Sequence, residues 1–267
     1  MAKKNEYTLE LFTNAMGEAR EKSRFTYLNF YGQTVDIPYI IWRIEGADQN
    51  ILIDAGCSGE DYYRVIKEGS EEGFVAGGEK FKDVMDVTLF EDGLAKWGLK
   101  PEDIDVIILT HLHWDHIMNA EKCKNATIVV QEEEWKAAFN HHPIMDFAYA
   151  PRWYYEQMRN MEFVKGDVKF LPGVRFIFSP GHTPGGQSVA VNTKNGEYVI
   201  SGYCGINDNF YPPEEIQKAI GYPIIPATVH TDSIQAYESS LKLLQMFGDK
   251  ILPSHEQELM KVERIPE

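Results

Sequence analysis

Cysteine is scarce in this chain, at three of 267 residues. Cys57, Cys123 and Cys204 make an odd number at no framework spacing, which excludes a disulfide-stapled scaffold and favours a reducing compartment. Basic residues are in deficit as well: 26 lysines and arginines stand against 41 acids, for a formal net charge of -15. Nucleic-acid backbones need clustered Lys and Arg, so that partner class is excluded. Long apolar runs are missing. No segment approaches the roughly 18 consecutive apolar residues of a membrane span, and Met1-Ala-Lys-Lys-Asn-Glu-Tyr7 leads into no apolar stretch of the kind a secretory signal needs. Lipidation motifs, low-complexity tracts and internal repeats of about 20 to 50 residues are lacking too. A cytoplasmic location with no membrane partner is expected. With 43% hydrophobic residues the chain can bury one large core, so a single domain over 1–267 is the expected organisation.

What is present is histidine in a dense cluster. His111-Leu-His113-Trp-Asp115-His116 packs three imidazoles and a carboxylate into six residues, directly after Ile104-Asp-Val-Ile-Ile-Leu-Thr110, an apolar run that reads as a buried strand. On an extended chain His111 and His113 share a face and can grip one cation, and a turn into a helix lets Asp115 and His116 face a neighbouring position. Two cations need more donors, and borderline-soft metals take imidazole, carboxylate or thiolate. Two further histidines stand at strand ends. His182 lies in Ser179-Pro-Gly-His-Thr-Pro-Gly-Gly186, after the β-branched and aromatic run Val174 to Phe178, where glycine and proline hold a tight loop. His255 follows the short apolar strand of Lys250-Ile-Leu-Pro-Ser-His255.

These residues resemble the metallo-β-lactamase-fold superfamily, whose hallmark is His-x-His-x-Asp-His, over about Tyr27 to His255. Ile51-Leu-Ile-Asp54-Ala-Gly56 is similar to the family's early strand ending in Asp-x-Gly, whose acid supports the metal-binding loops. Pro180-Gly-His182-Thr-Pro-Gly185 is similar to the loop that gives the third histidine of one metal site. Val35-Asp-Ile-Pro-Tyr-Ile-Ile-Trp42, the length and the ending Leu-Pro-Ser-His255 most resemble the N-acyl-homoserine lactonase group. The resemblance implies an α/β fold, an αββα four-layer sandwich of two mixed β-sheets with helices outside. It implies two zinc ions per chain, with iron or manganese as alternatives. His111, His113 and His182 would form one site; Asp115, His116 and His255, joined by Cys204, would form the other.

One departure stands out. The family places Gly-Asp after the strand that follows the Pro-Gly-His loop, and that aspartate bridges the metals; here Glu197-Tyr-Val-Ile-Ser-Gly202 runs into Tyr203-Cys204-Gly205. One alignment puts Tyr203 at the bridging position, whereas matching the Gly-Gly-Cys of dinuclear β-lactamases makes Cys204 a thiolate ligand. A one-residue shift on a strand reverses the face, so only one of the two is expected to reach the metals. The thiolate is the better donor, with Cys204 as a small buried apolar residue the alternative. Tyr203, if it faced the pocket, would donate a hydrogen bond to an oxyanion in place of a tyrosine that the lactonases carry further along the loop. Asp208 is a third candidate to reach back.

Patterning elsewhere alternates strands and helices. Val35 to Ile44 and Gln49 to Asp54 read as paired strands, Glu60 to Lys67 and Asp86 to Trp97 as helices. Strands are expected at Ala126 to Gln131, Val168 to Leu171, Val174 to Ser179, Ser188 to Asn192 and Tyr198 to Ser201. Asp232 can cap a helix in which Ile234, Tyr237, Leu241 and Leu244 recur at helical spacing. The acidic runs Glu71-Glu72 and Glu132-Glu-Glu134 read as solvated surface. Around 139–161 the aromatic content is too high for a polar connection, and the segment reads as a lid over the metals, or else as an aromatic satellite core. Phe147, Trp153 and Tyr154, with Phe210 on the opposite wall and His230, are candidate contacts to a small apolar or aromatic substrate. The same aromatic surface is a candidate homodimer contact.

The implied chemistry is hydrolysis. Zinc lowers the pKa of bound water to about 7. A metal-bound hydroxide would then attack the carbonyl of a small lactone or related cyclic ester or amide, with Asp115 orienting it and passing on its proton. Other ester, thioester and β-lactam hydrolases share the scaffold. From a different class, an iron-dependent oxidoreductase of the persulfide dioxygenase kind uses similar ligands, and a binding protein with a degenerate site is a third reading.

Overall fold

Alternation along three short strands sorts their side chains between two cores. Ile51, Ile53, Val106, Ile108 and Val129 enter one cluster, while Leu52, Ile107, Ile128 and Val130 enter another on the opposite face, as a period of two requires. Both faces are apolar, so these strands need cover on each side. The computed structural model describes residues 5–62 and 84–266, and it shows what supplies that cover.

The first sheet runs β13-β1-β2-β3-β5-β6-β7, with β4 pairing β1 off that path. Its strands are β1 (Thr8–Glu21), β2 (Thr34–Glu45), β3 (Ile51–Ile53), β4 (Val84–Asp86), β5 (Val106–Ile108), β6 (Thr127–Gln131), β7 (Met161–Val164) and β13 (Arg264–Ile265). The pairings from β3 to β7 are parallel and those of β1 and β2 antiparallel. The second sheet runs β12-β11-β10-β9-β8, from β8 (Val168–Leu171), β9 (Val174–Phe178), β10 (Gln187–Thr193), β11 (Gly196–Ile200) and β12 (Ile251–Leu252). Val174, Phe176, Val189, Val191 and Ile200 meet the first sheet's Leu9, Trp42 and Ile53 in one shared core.

Helices close both outer faces. In chain order they are α1 (Gly59–Asp61), α2 (Phe90–Lys96), α3 (Trp114–Ile117), α4 (Glu132–Asn140), α5 (Arg152–Gln157), α6 (Asn207–Phe210), α7 (Glu214–Ile220) and α8 (Ser233–Phe247). Phe90 and Leu94 of α2, Ala138 of α4 and Tyr154 of α5 cover the first sheet. Leu243 and Phe247 of α8 cover Ile177, Ala190 and Val199 of the second. The order is helix, sheet, sheet, helix: the αββα sandwich expected from the sequence.

Local departures have identifiable causes. β1 escaped the pattern because bulges between Thr13 and Ala15 and between Gly17 and Arg20 break its alternation. The helix expected at Glu60 to Lys67 is described only at its start, and Glu71-Glu72 lies outside the described residues. α8 is capped by Asp232, which accepts from the amides of Ile234 and Gln235 at 2.9 Å, but its buried face is Ala236, Ser239, Ser240, Leu243 and Phe247, with Ile234 exposed. Small residues win that face because the His182 loop lies against it. Ser239 Oγ donates to the Pro180 carbonyl at 2.7 Å, and any side chain at Gly181, where φ is +125°, would collide with the backbone of Ala236. Among the described residues no helix is long and apolar enough to cross a membrane.

Candidate metal centre

Every histidine of the two donor groups lies in a loop, or for His116 in the short helix α3, beyond a strand's C-terminal end. His111 to His116 follow β5, His182 follows β9 and His255 follows β12. The two sheets therefore deliver them to one rim of the sandwich. There, one ligand atom each from His111, His113 and His182 falls within 4.8 Å of the others, and the same holds for Asp115, His116 and His255. All five imidazoles are buried.

Hydrogen bonds fix a proton on Nδ1 in four of the five rings. Thr110 Oγ1 donates to Asp54 at 2.9 Å, so His111 Nδ1, 3.1 Å away, must be the donor to that hydroxyl. His182 Nδ1 donates to the Val229 carbonyl at 2.6 Å, His116 Nδ1 to Asp54 at 2.7 Å and His255 Nδ1 to the Pro38 carbonyl at 2.9 Å. The Nε2 lone pairs are thereby turned inward. Those of His111 and His182 face one another at 3.2 Å, and the Nε2 atoms of His113, His116 and His255 are buried without a hydrogen-bond partner. Asp115 Oδ2 stands 3.4 Å from both His116 Nε2 and His255 Nε2. Opposed lone pairs and orphaned buried acceptors are unfavourable alone and are satisfied together by cations between them, so the residues fit a pair of metal ions.

The electrostatics agree. Burial first, and then the neighbouring imidazoles, hold His111 and His113 well below the ordinary histidine range. Burial likewise lowers His255, and takes His182 down to about 4. These four rings are neutral, the ligating form. For His116 burial is outweighed by the carboxylates of Asp115 and Asp54, which raise it to about 9 in the metal-free protein.

Two buried carboxylates hold the loops. Asp54, at φ 59°, accepts from the Thr110 amide at 2.8 Å as well as from Thr110 Oγ1 and His116. This is the support that the Asp-x-Gly resemblance implied, and such outer partners orient a ligand ring and tune its basicity. The second carboxylate overturns an expectation. Glu134, read as solvated surface, is fully buried. It accepts from the Leu112 amide, between His111 and His113, and from the Gly185 amide in the His182 loop, each at 3.0 Å. A side chain at Gly185 would collide with the Glu134 backbone. Nothing in a Glu-Glu-Glu run marks its third member for burial; only the tertiary position of α4 does.

Aromatic residues of the segment 139–161 brace the metal-binding motif, while Phe147 and Ala148 line the cavity. Tyr154 Oη donates to the carbonyls of Ile117 and Met118, and Tyr155 Oη to that of Leu112, while Tyr149 forms a bridge to His113. These rings belong to the first sheet's outer core, the alternative reading. Of the five expected substrate contacts, Phe147 lines the cavity over the donor groups. Trp153 is 38% exposed outside it and Tyr154 lies in the core. Phe210 is packed among the α8 residues, and His230 rests on the Ala227 carbonyl and the Tyr27 ring. His141 stacks on Tyr149 and pairs with Asp146.

Tyr203 and Cys204 lie in a bend beyond β11, which turns their side chains different ways. Tyr203 points away from the donors, stacked on Phe210 in the core under α8, so it is corrected from oxyanion donor to packing residue. Cys204 lines the cavity but belongs to neither donor group. Asp208 is paired with Lys22 at 2.8 Å. Cavity residues that the sequence did not flag include Tyr39, Ile37 and Val229, with Arg20 and Arg24.

The model of the family described as the metallo-beta-lactamase superfamily matches residues 39–255. The chain belongs to that superfamily. Among its relatives, an N-acyl homoserine lactonase from Bacillus sp is 29% identical over 224 residues, covering 82% of this chain and 84% of that one. The N-acyl homoserine lactonase AiiB of Agrobacterium fabrum is 26% identical over 265 residues, covering 90% and 92%. Solved structures confirm the metallo-beta-lactamase fold. A variant of B. thuringiensis AiiA with N-decanoyl-L-homoserine at its active site superposes with a TM-score of 0.72 at 22% identity over 95% of each chain. AidC, a dizinc quorum-quenching lactonase in complex with the product N-hexanoyl-L-homoserine, gives 0.62 at 18% identity over 93% and 88%.

Proposed function

We propose that this metallo-beta-lactamase superfamily member is a dizinc hydrolase that opens the ring of an N-acyl homoserine lactone or a closely related small lactone. The observation that carries it is the convergence of five imidazoles and one carboxylate in two groups of three, with His113, Asp115, His182 and His255 lining one cavity. The relatives' activity narrows the reaction to lactone opening. His111, His113 and His182 would hold one ion; Asp115, His116 and His255 the other. When bound, such a pair supplies Lewis acidity to a carbonyl oxygen and activates water near neutral pH.

The chain's own residues do the rest. Glu134 and Asp54 set the spacing of the two groups by tying down their loops. Asp115, whose side chain is 15% exposed, lines the cavity and is suited to orient the attacking water and take its proton. Ile37, Phe147 and Val229 give the cavity an apolar lining for an acyl chain, and removing water from the reacting carbonyl strengthens each polar contact there.

The test is protein loaded with zinc and assayed on N-hexanoyl-homoserine lactone by pH-stat, since each ring opened releases one proton at neutral pH. The expected outcome is two zinc ions per chain and turnover lost on chelation. Full zinc loading with no lactone opened refutes the proposal, and iron with sulfur-dependent oxygen uptake would replace it by the oxidoreductase reading.

A further inference from the structure

The cavity contains a polar side chain that nothing in the protein engages. Tyr39 lies on β2, is 6% exposed and lines the cavity beside His113, Asp115, His182 and His255. Its hydroxyl is within electrostatic reach of Asp115, Cys57, Arg20 and Cys204. Among the described residues it makes no hydrogen bond. The hydroxyl is not one of the buried side-chain atoms left without a partner, so it opens onto the cavity, where a ligand can meet it. Neighbouring tyrosine hydroxyls are already engaged: Tyr149 reaches Glu134, Tyr154 reaches Ile117 and Met118, and Tyr155 reaches Leu112.

The Tyr39 ring is also fixed relative to the donor groups. Trp114 meets it edge to face with centroids 5.5 Å apart and His255 does so at 5.8 Å. The preceding residue, Pro38, accepts the Nδ1 proton of His255 at 2.9 Å. One stretch of β2 thus positions both a ligand ring and a free hydroxyl. Sequence reading passed over Tyr39 because a tyrosine alternating with Ile37 and Ile41 on a strand looks like core, which its ring is.

We propose that Tyr39 is a catalytic residue whose hydroxyl donates a hydrogen bond to the substrate's carbonyl oxygen as that oxygen becomes an oxyanion at the donor groups. The proposal rests on the hydrolytic reading above. A phenol keeps its proton at neutral pH, so Tyr39 acts as a donor and transfers no proton. Of the other groups within its reach, Asp115 is an acceptor, Cys57 and Cys204 offer weak S–H donors, and Arg20 is engaged elsewhere. A rigid donor aimed where charge develops stabilises the transition state more than the ground state.

The test compares zinc-loaded wild type with Tyr39→Phe in the full chain, by lactone kinetics and by the affinity for phenylphosphonate, a tetrahedral anion. Expected are a fall in kcat of about 10- to 100-fold with KM within about threefold, phenylphosphonate binding weakened at least about tenfold, and unchanged zinc content and Tm. A purely structural hydroxyl would lower Tm and leave kcat and phosphonate affinity alone, which overturns the proposal. So does a variant that matches wild type in both readouts, in which case lactone hydrolysis still stands. If wild type opens no lactone, the hydrolytic reading fails on its own, and phosphonate affinity decides Tyr39: equal or undetectable binding in both proteins rejects it.

Discussion

Replacing Glu134 should damage one metal group ahead of the other. Glu134→Ala strips the acceptor from the amides of Leu112 and Gly185, which sit in buried loops with no water to take over. An unsatisfied buried donor costs about 1–3 kcal/mol, so the pair amounts to about 2–6 kcal/mol. Part of that is offset, because burial pushes the Glu134 carboxyl up and its removal relieves a desolvation penalty. A net loss of about 2–4 kcal/mol is expected in urea unfolding with chelator present. Glu134→Gln keeps one carbonyl acceptor but turns an amide NH2 toward the second donor, so it should lose about half as much. The loops involved carry His111, His113 and His182, so competition with a chromophoric chelator should show that group weakened about 10- to 100-fold and the Asp115 group less affected. An alanine variant within about 0.5 kcal/mol of wild type, or a glutamine variant as damaged as the alanine one, would refute the clamp.

Other outcomes follow from the same geometry. His116, raised to about 9 in the metal-free protein, is protonated at pH 7, so a cation entering its group must displace that proton; affinity there should fall about tenfold per unit as pH drops below 9. Calorimetry in buffers of different ionisation enthalpy should find one proton released at pH 7 and none at pH 10. Being raised, the same group stabilises the metal-free fold fully below 6.5 and loses that contribution as pH climbs through 9, which chelated unfolding curves at pH 6 and 10 can check. Asp54→Asn replaces one of the two acceptor oxygens by an NH2, which faces either the Thr110 amide or the Thr110 hydroxyl and His116, and metal affinity measured by chelator competition should drop about 10- to 100-fold. Tyr203→Phe and Cys204→Ala should each keep zinc content and turnover within about twofold of wild type; a lost equivalent of zinc in the cysteine variant would restore it as a ligand.

The donors were legible because metal chemistry writes itself locally. His-Leu-His-Trp-Asp-His needs no tertiary knowledge to be read, and His182 and His255 stood out as histidines held by proline or glycine just past a strand. Tyr203 and Cys204 were not separable in the same way, since the deciding quantity is the bend beyond β11. β10 pairs Val189 with Ile200, and from there the chain carries Tyr203 under α8 and Cys204 toward the cavity. Glu134 and Tyr39 were missed for a related reason. Each looks ordinary in its own segment, a charge in an acidic run and an aromatic in a strand, and acquires its role only from what the sandwich sets beside it. The face of α8 was misjudged because apolar periodicity was read without the demand for close approach, which favours Ala236 and Ser239 over Ile234.

Asp54 and Glu134 grip the same short motif at different points. Asp54 holds Thr110 and His116 from the β3 side, and Glu134 holds Leu112 from α4 while reaching across to the second sheet's Gly185. The motif is therefore pinned at its start, middle and end, and to both sheets. That arrangement explains why two carboxylates are tolerated in the interior: each satisfies several backbone or ring donors at once, which is the condition under which a buried charge is retained. It also explains the positive φ of Asp54, a conformation that most residues other than glycine avoid but that aspartate tolerates. The backbone bends there to bring one carboxylate under both Thr110 and His116, so strain at one residue fixes the position of a whole ligand group.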